Sequence, residues 1–252
     1  MVSLVEPCML YMMSIRFLHF SDVHLGMENY GKTDPESGLN SRLNDFLHSF
    51  DEIVNAAIST PVDVVLFTGD AYKTRDPSPT YQRAFAERIW AIASKGIPVY
   101  LLVGNHDLPN ATGKANTLDI YAALKVPNTT VLRTIDLHTL KTKSNQTLQI
   151  ISFPWITRGS VLSRSELLST ETNEMNRRYV KKLSELFHSA TAKANPKLPT
   201  IVLGHGGLEK ATVGSERTIL MGTEPVFPLT LFQRPWFDYI AFGHIHKHQV
   251  LS

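Results

Sequence analysis

Seven side chains stand just past the ends of five apolar runs. They are Asp22 and His24 in SDVHLG, Asp70 in TGD, Asn105 in GNHD, His205 in GHGG, and His244 and His246 in GHIHKH. All seven offer oxygen or nitrogen and none is a thiol. Such a set suits manganese, iron or magnesium better than the cysteine-rich tetrahedron of a structural zinc site. Seven ligands are too many for one ion. They match two if Asp70 bridges with its two carboxylate oxygens and water fills the remaining positions. Two ions roughly 3.5–4 Å apart can hold a phosphate between them, supply hydroxide at neutral pH and neutralise both the attacking and the leaving oxygen.

His244, His246 and His248 alternate along the chain, and alternation alone has a plainer explanation. Successive even positions of a strand share one face, so a solvated strand end would give the same pattern. The other four motifs favour ligation for His244 and His246, while His248 is left as a surface residue or a hydrogen-bond partner of the site. His19 lies inside an apolar run and is expected to be hydrogen-bonded in or beside the core. His48, His138 and His188 have no matching partners and are not site candidates.

The elements that position these residues are legible from patterning. Apolar, β-branched-rich runs at 15–20, 62–67, 97–103, 148–153, 200–204 and 238–242 read as strands. Helical periodicity covers about 41–59, 78–95, 115–124 and 163–193. The stretch 129–153, with polar KTKSNQT between two strands, reads as a hairpin. This alternation predicts a layered α/β domain in which the carboxyl ends of the strands share the ligand-bearing edge. One strand ending in Gly and Asp is a turn, since these are ordinary turn residues. Five with the same composition are hard to explain that way.

At 252 residues, with 43% hydrophobic and 19% charged side chains, the chain has a globular composition rather than that of a disordered or membrane protein. A formal charge of +2 does not by itself argue for nucleic acid, so any DNA contact must come from local clusters. Cys8 is the only cysteine, which excludes an intrachain disulfide and fits a reducing, cytoplasmic setting. The opening MVSLVEPCMLYMMS lacks a basic segment and carries Glu6 and Pro7. It therefore reads as a short N-terminal extension over 1–13, with Met12 or Met13 an alternative start, rather than as a signal peptide. No apolar run approaches the ~20 residues a bilayer demands.

The series D-x-H, GD, GNHD, GH and GHxH resembles the calcineurin-like metallophosphoesterase superfamily, and it runs from Asp22 to His246. Within it, HFSDVHLG, the SRLNDF stretch opening a helix, GD followed by a P-S-P turn and helix, GIPVYLLVGNHD and GHIHKHQ are similar to SbcD-type DNA-repair nucleases. The resemblance implies a four-layer α/β/β/α sandwich, with two mixed sheets flanked by helices, over residues 14–252. It implies that Asp22, His24 and His246 hold one divalent ion, that Asn105, His205 and His244 hold a second, and that Asp70 bridges. Manganese is the expected metal, with iron or magnesium compatible with the same donors. His106 would stabilise the transition state or protonate the leaving oxygen, and Asp107 would orient the motif.

The activity so implied is 3′ to 5′ exonuclease action on duplex DNA and endonuclease action on single strands or hairpins. Two alternatives share the fold: a phosphoesterase acting on nucleotides or other small esters, and a scaffold without catalysis. The chain departs from its relatives at Lys73, where they often carry a His or Asp that pairs with the GNHD histidine. A cation there would oppose a second positive charge on His106. Lys73 and Arg75 are candidate DNA-phosphate contacts, whereas Arg177, Arg178, Lys181 and Lys182 read as the solvated face of a helix. The resemblance also implies a homodimer through helices near 78–95 and 115–124, with Phe85, Ile89, Trp90, Ile92, Leu118, Tyr121 and Leu124 as seam candidates. It further implies an SbcC-type ATPase partner, bound through C-terminal regions beyond residue 252.

Overall fold

A computed structural model describes residues 14–35, 38–109, 113–169, 171–212, 214 and 224–251. The expected extension over 1–13, with Cys8, Met12 and Met13, lies outside the described residues. Two four-stranded sheets form the centre. The first has the order β1 (Phe17–Phe20), β2 (Val64–Phe67), β3 (Val99–Leu102), β4 (Thr129–Leu132), all parallel. The second contains β5 (Asp136–Lys141), β6 (Thr147–Phe153), β7 (Thr200–His205) and β10 (Tyr239–Gly243), in the order β10-β7-β6-β5. Antiparallel pairing within these two sheets is confined to β5 and β6. A short parallel ribbon joins β8 (Gly207–Leu208) to β9 (Val226–Phe227).

The two-residue period of a strand explains the layering. Val64 and Leu66 point into a core shared with Ile150, Ile201 and Leu203 of the second sheet. Their neighbours Val65 and Phe67 point the other way, onto α1 (Ser41–Ser59) and α2 (Pro79–Ala93), where Phe50, Val54, Phe85 and Ile89 receive them. On the far side, Ile151, Phe153 and Val202 meet Tyr179, Leu183 and Phe187 of the long helix that ends at Ala192. The result is the expected four-layer α/β/β/α sandwich. Asn40 caps α1 by accepting the Arg42 N–H at 2.9 Å, and Pro79 starts α2 where its missing N–H costs nothing.

Three element boundaries differ from the sequence reading. The hairpin is only β5–β6, turning at 142–146 with Thr142 N–H donating to the Gln146 carbonyl at 2.9 Å. Residues 129–132 instead pair with β3 as β4, because Leu132 completes the core between the sheets. The helix expected over 115–124 shrinks to α3 (Asp119–Ala123). Asn116 bonds the Leu118 N–H and the Asp119 carboxylate locally, which competes with an earlier helical start.

The helix expected over 163–193 is two. After α4 (Arg158–Val161), a reciprocal box between Ser163 and Glu166 opens α5 (Arg164–Ser169), and Glu171, extended at ψ 149°, separates it from α6 (Thr172–Ala192). On α6, Arg177 and Arg178 pair with Glu174, and Lys182 pairs with Glu166, in keeping with a solvated face. The last helix, α7 (Leu229–Phe232), buries Leu231 and Phe232 under the second sheet.

Candidate metal centre

The chain departs from ordinary backbone geometry where the candidate ligands stand. Asp22, His24, Asp70 and His244 all have positive φ, at 53°, 48°, 62° and 94°. That conformation is uncommon for residues with a Cβ, and four of them past the ends of β1, β2 and β10 indicate a site over-determined by its surroundings. Past β1 and β2 the two chain segments stay paired, with Asp22 N–H donating to the Gly69 carbonyl and His24 N–H to the Asp70 carbonyl. His244 N–H donates to both oxygens of Asp22, at 3.0 and 3.1 Å, which ties the end of β10 to the end of β1 across the two sheets.

Six of the seven predicted ligands fall into two groups. Donor atoms of Asp22, His24 and His246 lie within 4.8 Å of one another, as do those of Asp70, His205 and His244. The seventh, Asn105, turns its amide oxygen to His205 Nε2 at 2.9 Å and to His244 Nδ1 at 3.1 Å. Asp70 stands between the groups. Its Oδ1 accepts the His106 N–H at 2.8 Å, and its Oδ2 faces His24 Nε2 at 3.6 Å and His205 Nε2 at 3.4 Å. His248 is exposed and belongs to neither group.

These atoms fit divalent cations by their chemistry. His205 donates its Nδ1–H to the Thr68 carbonyl at 2.6 Å, which turns Nε2 toward the Asn105 amide oxygen and Asp70 Oδ2. Nε2 of His24 and of His246 face each other at 3.0 Å, and the buried His24 Nδ1 has no hydrogen-bond partner among the described residues. The nearest of these donor atoms stand about 3 Å apart, the spacing of neighbouring ligands around one six-coordinate ion with bonds of about 2.1 Å, while Asp22 Oδ1 lies 3.8 and 3.9 Å from the His24 and His246 nitrogens.

The electrostatics agree. Burial drops His24 to about 4 despite the opposing charges of Asp70 and Asp22, so it presents a neutral lone pair at neutral pH. Burial also works against charge on His205, but Asp70, by its charge and hydrogen bond, outweighs it and raises the ring to about 9. The pull on a proton there is the pull a divalent ion would feel. Burial likewise disfavours the Asp70 charge, yet His205, then His24 and His106, hold the carboxyl well below the usual carboxylate range.

Asp107 is fully buried and is not among the converging donors. Its carboxylate accepts N–H groups of Asp70, Ala71 and Gly104 at 2.8–3.0 Å, joining the GD and GNHD loops. Burial and the nearby Asp70 charge push it up to about 6 against those three bonds. Gly104 is required by the same closeness, since a Cβ there would lie 2.3 Å from Asp70 Oδ1 and 2.5 Å from Asp70 N. Gly104→Ala is expected to cost about 1–3 kcal/mol of stability through overpacking. It should also weaken manganese binding by displacing the Asp70 carboxylate, as thermal unfolding and metal titration would show.

His106 is half-buried, with its ring edge-on to His24 at 5.0 Å. Lys73 meets that ring through its main chain. The Lys73 carbonyl accepts the His106 Nδ1–H at 2.8 Å. The main chain thus supplies the orienting partner that the resemblance assigned to a side chain. Sequence reasoning missed two further groups. Glu224 accepts from His244 Nε2 at 2.8 Å, and the Trp155 ring lies 5.2 Å from the His244 ring at 33°. Neither belongs to a spaced motif, so no local signal marked them. His19 is bonded to Thr68 Oγ1 at 2.9 Å and lies 3.3 Å from the Tyr239 hydroxyl, beside the site and outside both donor groups.

Residues 15–248 match the model of the calcineurin-like phosphoesterase family, and the chain belongs to that family of divalent-metal-binding hydrolases. Among its relatives is the SbcD component of the SbcCD nuclease of Escherichia coli K12, 30% identical over 259 residues, covering 94% of this chain and 58% of that protein. The DNA double-strand break repair protein Mre11 of Methanococcus maripaludis is 28% identical over 234 residues, covering 92% and 52%. The SbcD component of the Bacillus subtilis SbcCD nuclease is 24% identical over 246 residues, covering 94% and 58%. The chain therefore spans between half and three-fifths of the length of these relatives.

Proposed function

We propose that this domain is a metal-dependent DNA nuclease that hydrolyses phosphodiesters at a two-ion site. The observation that carries this reading is the placement of Asp70 Oδ2 between two groups of converging donors. In this reading Asp22, His24 and His246 hold one ion, Asn105, His205 and His244 the other, and manganese is the expected metal. Two such ions, when bound, neutralise the phosphodiester and make water a usable nucleophile at neutral pH.

His106 delivers a proton to the leaving oxygen through Nε2. Its Nδ1–H stays on the Lys73 carbonyl whether or not Nε2 is protonated, so the ring keeps its aim through the cycle. Asp107 holds the two loops that carry Asp70 and His106. Lys73, half-buried, and Arg75, exposed, stand in the loop after Asp70, where they would meet backbone phosphates and position the strand without reading its sequence.

The relatives' names support DNA as substrate, and the donor set supports phosphodiester chemistry. The finer reading, 3′ to 5′ exonuclease action on duplexes and endonuclease action on single strands or hairpins, follows the same likeness. The test is manganese-dependent cleavage of an end-labelled duplex beside a small aryl phosphodiester, with a chelator control. Degradation of the duplex supports the nuclease reading. Hydrolysis of the small ester alone would leave the phosphoesterase and remove DNA as substrate, and inactivity on both would favour the scaffold.

We extend the reading to a homodimer and an SbcC-type ATPase partner. The structure narrows the seam, because Phe85, Ile89, Ile92, Leu118 and Tyr121 are buried in the chain's own core. Trp90 and Leu124 stay 53% and 69% exposed, with Ile120 also exposed at 51%. A Trp90→Glu, Leu124→Glu double variant should run as a monomer in sedimentation while keeping its thermal midpoint. Unchanged dimer mass would remove these helices from the interface.

A further inference from the structure

His244 is constrained through its backbone and both of its ring nitrogens. Its backbone N–H is held by the Asp22 carboxylate, its ring stacks obliquely near Trp155, and its two nitrogens face opposite ways. Nδ1 points to the Asn105 amide oxygen at 3.1 Å, and Nε2 points to Glu224 Oε2 at 2.8 Å. A neutral imidazole has one N–H to give. A carboxylate is the stronger acceptor and here the nearer one, so the hydrogen belongs on Nε2. Nδ1 is then a bare lone pair aimed at the donor group.

We propose that Glu224 is a positioning residue for the ion held by Asn105, His205 and His244. It fixes the His244 tautomer that leaves Nδ1 free to ligate. The inference rests on the two-ion reading and adds a residue that no motif contains. A carboxylate behind a ligating imidazole raises its basicity and locks its ring plane.

The fold builds this contact rather than leaving it to a loose surface chain. β8 follows directly on His205 and Gly206, β9 pairs with β8, and Glu209 N–H donates to the Phe227 carbonyl at 3.0 Å. Glu224 lies two residues before β9. The ligand His205 and the carboxylate behind His244 are therefore carried by the same small ribbon. Glu224 bonds to His244, a donor of one ion only, so its removal should affect one site and spare the other.

The test is calorimetric titration of chelator-treated protein with Mn²⁺, for wild type, Glu224→Ala and Glu224→Gln, with the thermal midpoint of each taken before metal is added. Wild type should bind two ions. Glu224→Ala should weaken one of them by about 10–100-fold and leave the other unchanged. Glu224→Gln, whose amide oxygen still accepts the Nε2–H, should return close to wild type, and all three midpoints should agree before metal. Equal affinities in wild type and Glu224→Ala would overturn the role of Glu224 while leaving the two-ion site standing. A uniform loss at both sites with a lowered midpoint would make Glu224 merely structural and overturn it too. Failure of wild type to bind two ions would overturn the underlying reading and this inference with it.

Discussion

Asp70→Asn should abolish hydrolysis, with turnover down by at least about 10³-fold, since removing even one transition-state contact costs about 10²–10³. The expectation follows from what each oxygen of Asp70 does. Oδ1 accepts the His106 N–H, and an Asn oxygen can keep that bond, so the loop should persist. Oδ2 faces both His24 and His205, and there the substitution removes a negative charge that draws cations to both groups. It also removes the partner that raises His205 to about 9 against its burial. Manganese stoichiometry should fall below two while the circular dichroism spectrum stays native. Near-normal turnover in this variant would take Asp70 out of its place between the ions.

The second large effect is expected at His106 and has a different signature. His106→Ala should lower turnover by about 10²–10⁴-fold, the range of general acid catalysis, with both ions still bound. The ring is outside the two ligand groups, although it lies close enough to His24 and Asp70 that those three form a further cluster. The substrate decides between the roles. An aryl phosphodiester has a good leaving group and needs little proton transfer, whereas a DNA alkoxide leaving oxygen needs it fully. The loss should therefore be much larger on DNA than on the aryl ester. Equal losses on both, accompanied by loss of metal, would make His106 a ligand instead.

The Lys73 position shows how sequence and structure divide the information. In the sequence it is a departure that threatens the acid, because a cation stands where relatives place a partner for the GNHD histidine. In the structure the peptide carbonyl of Lys73 meets the His106 ring and orients it. A main-chain group is common to every residue type and leaves no compositional trace. The same holds for the Thr68 carbonyl, which sets the His205 tautomer. Glu224 and Trp155 were illegible for another reason: each reaches His244 from an element distant in the chain, with no fixed spacing to advertise it.

Element boundaries divide in the same way. The strands that carry ligands were legible because burial on both faces makes them continuous apolar runs, as in VVLF and TIVL. The Thr129–Leu132 segment was not, since strand propensity does not say which sheet a strand joins. Pairing with β3 was decided by a tertiary fact, the space that Leu132 fills between the sheets. Among the seam candidates, periodicity marked apolar residues on α2 and α3 without distinguishing the side that packs inward from the side that remains exposed. Burial made that separation, leaving Trp90 and Leu124 outside.

By itself the sequence determined the candidate ligand types, their attachment to the carboxyl ends of five strands, and the class of chemistry such donors support. Those are properties of residue identity and local periodicity, which the chain carries wherever it goes. Only the tertiary structure decided that Asp70 stands between both groups, which ring nitrogen each histidine turns inward, and that Glu224 stands behind His244. These depend on hydrogen bonds between segments 20 to 222 residues apart, and such directions exist only once the two sheets have packed.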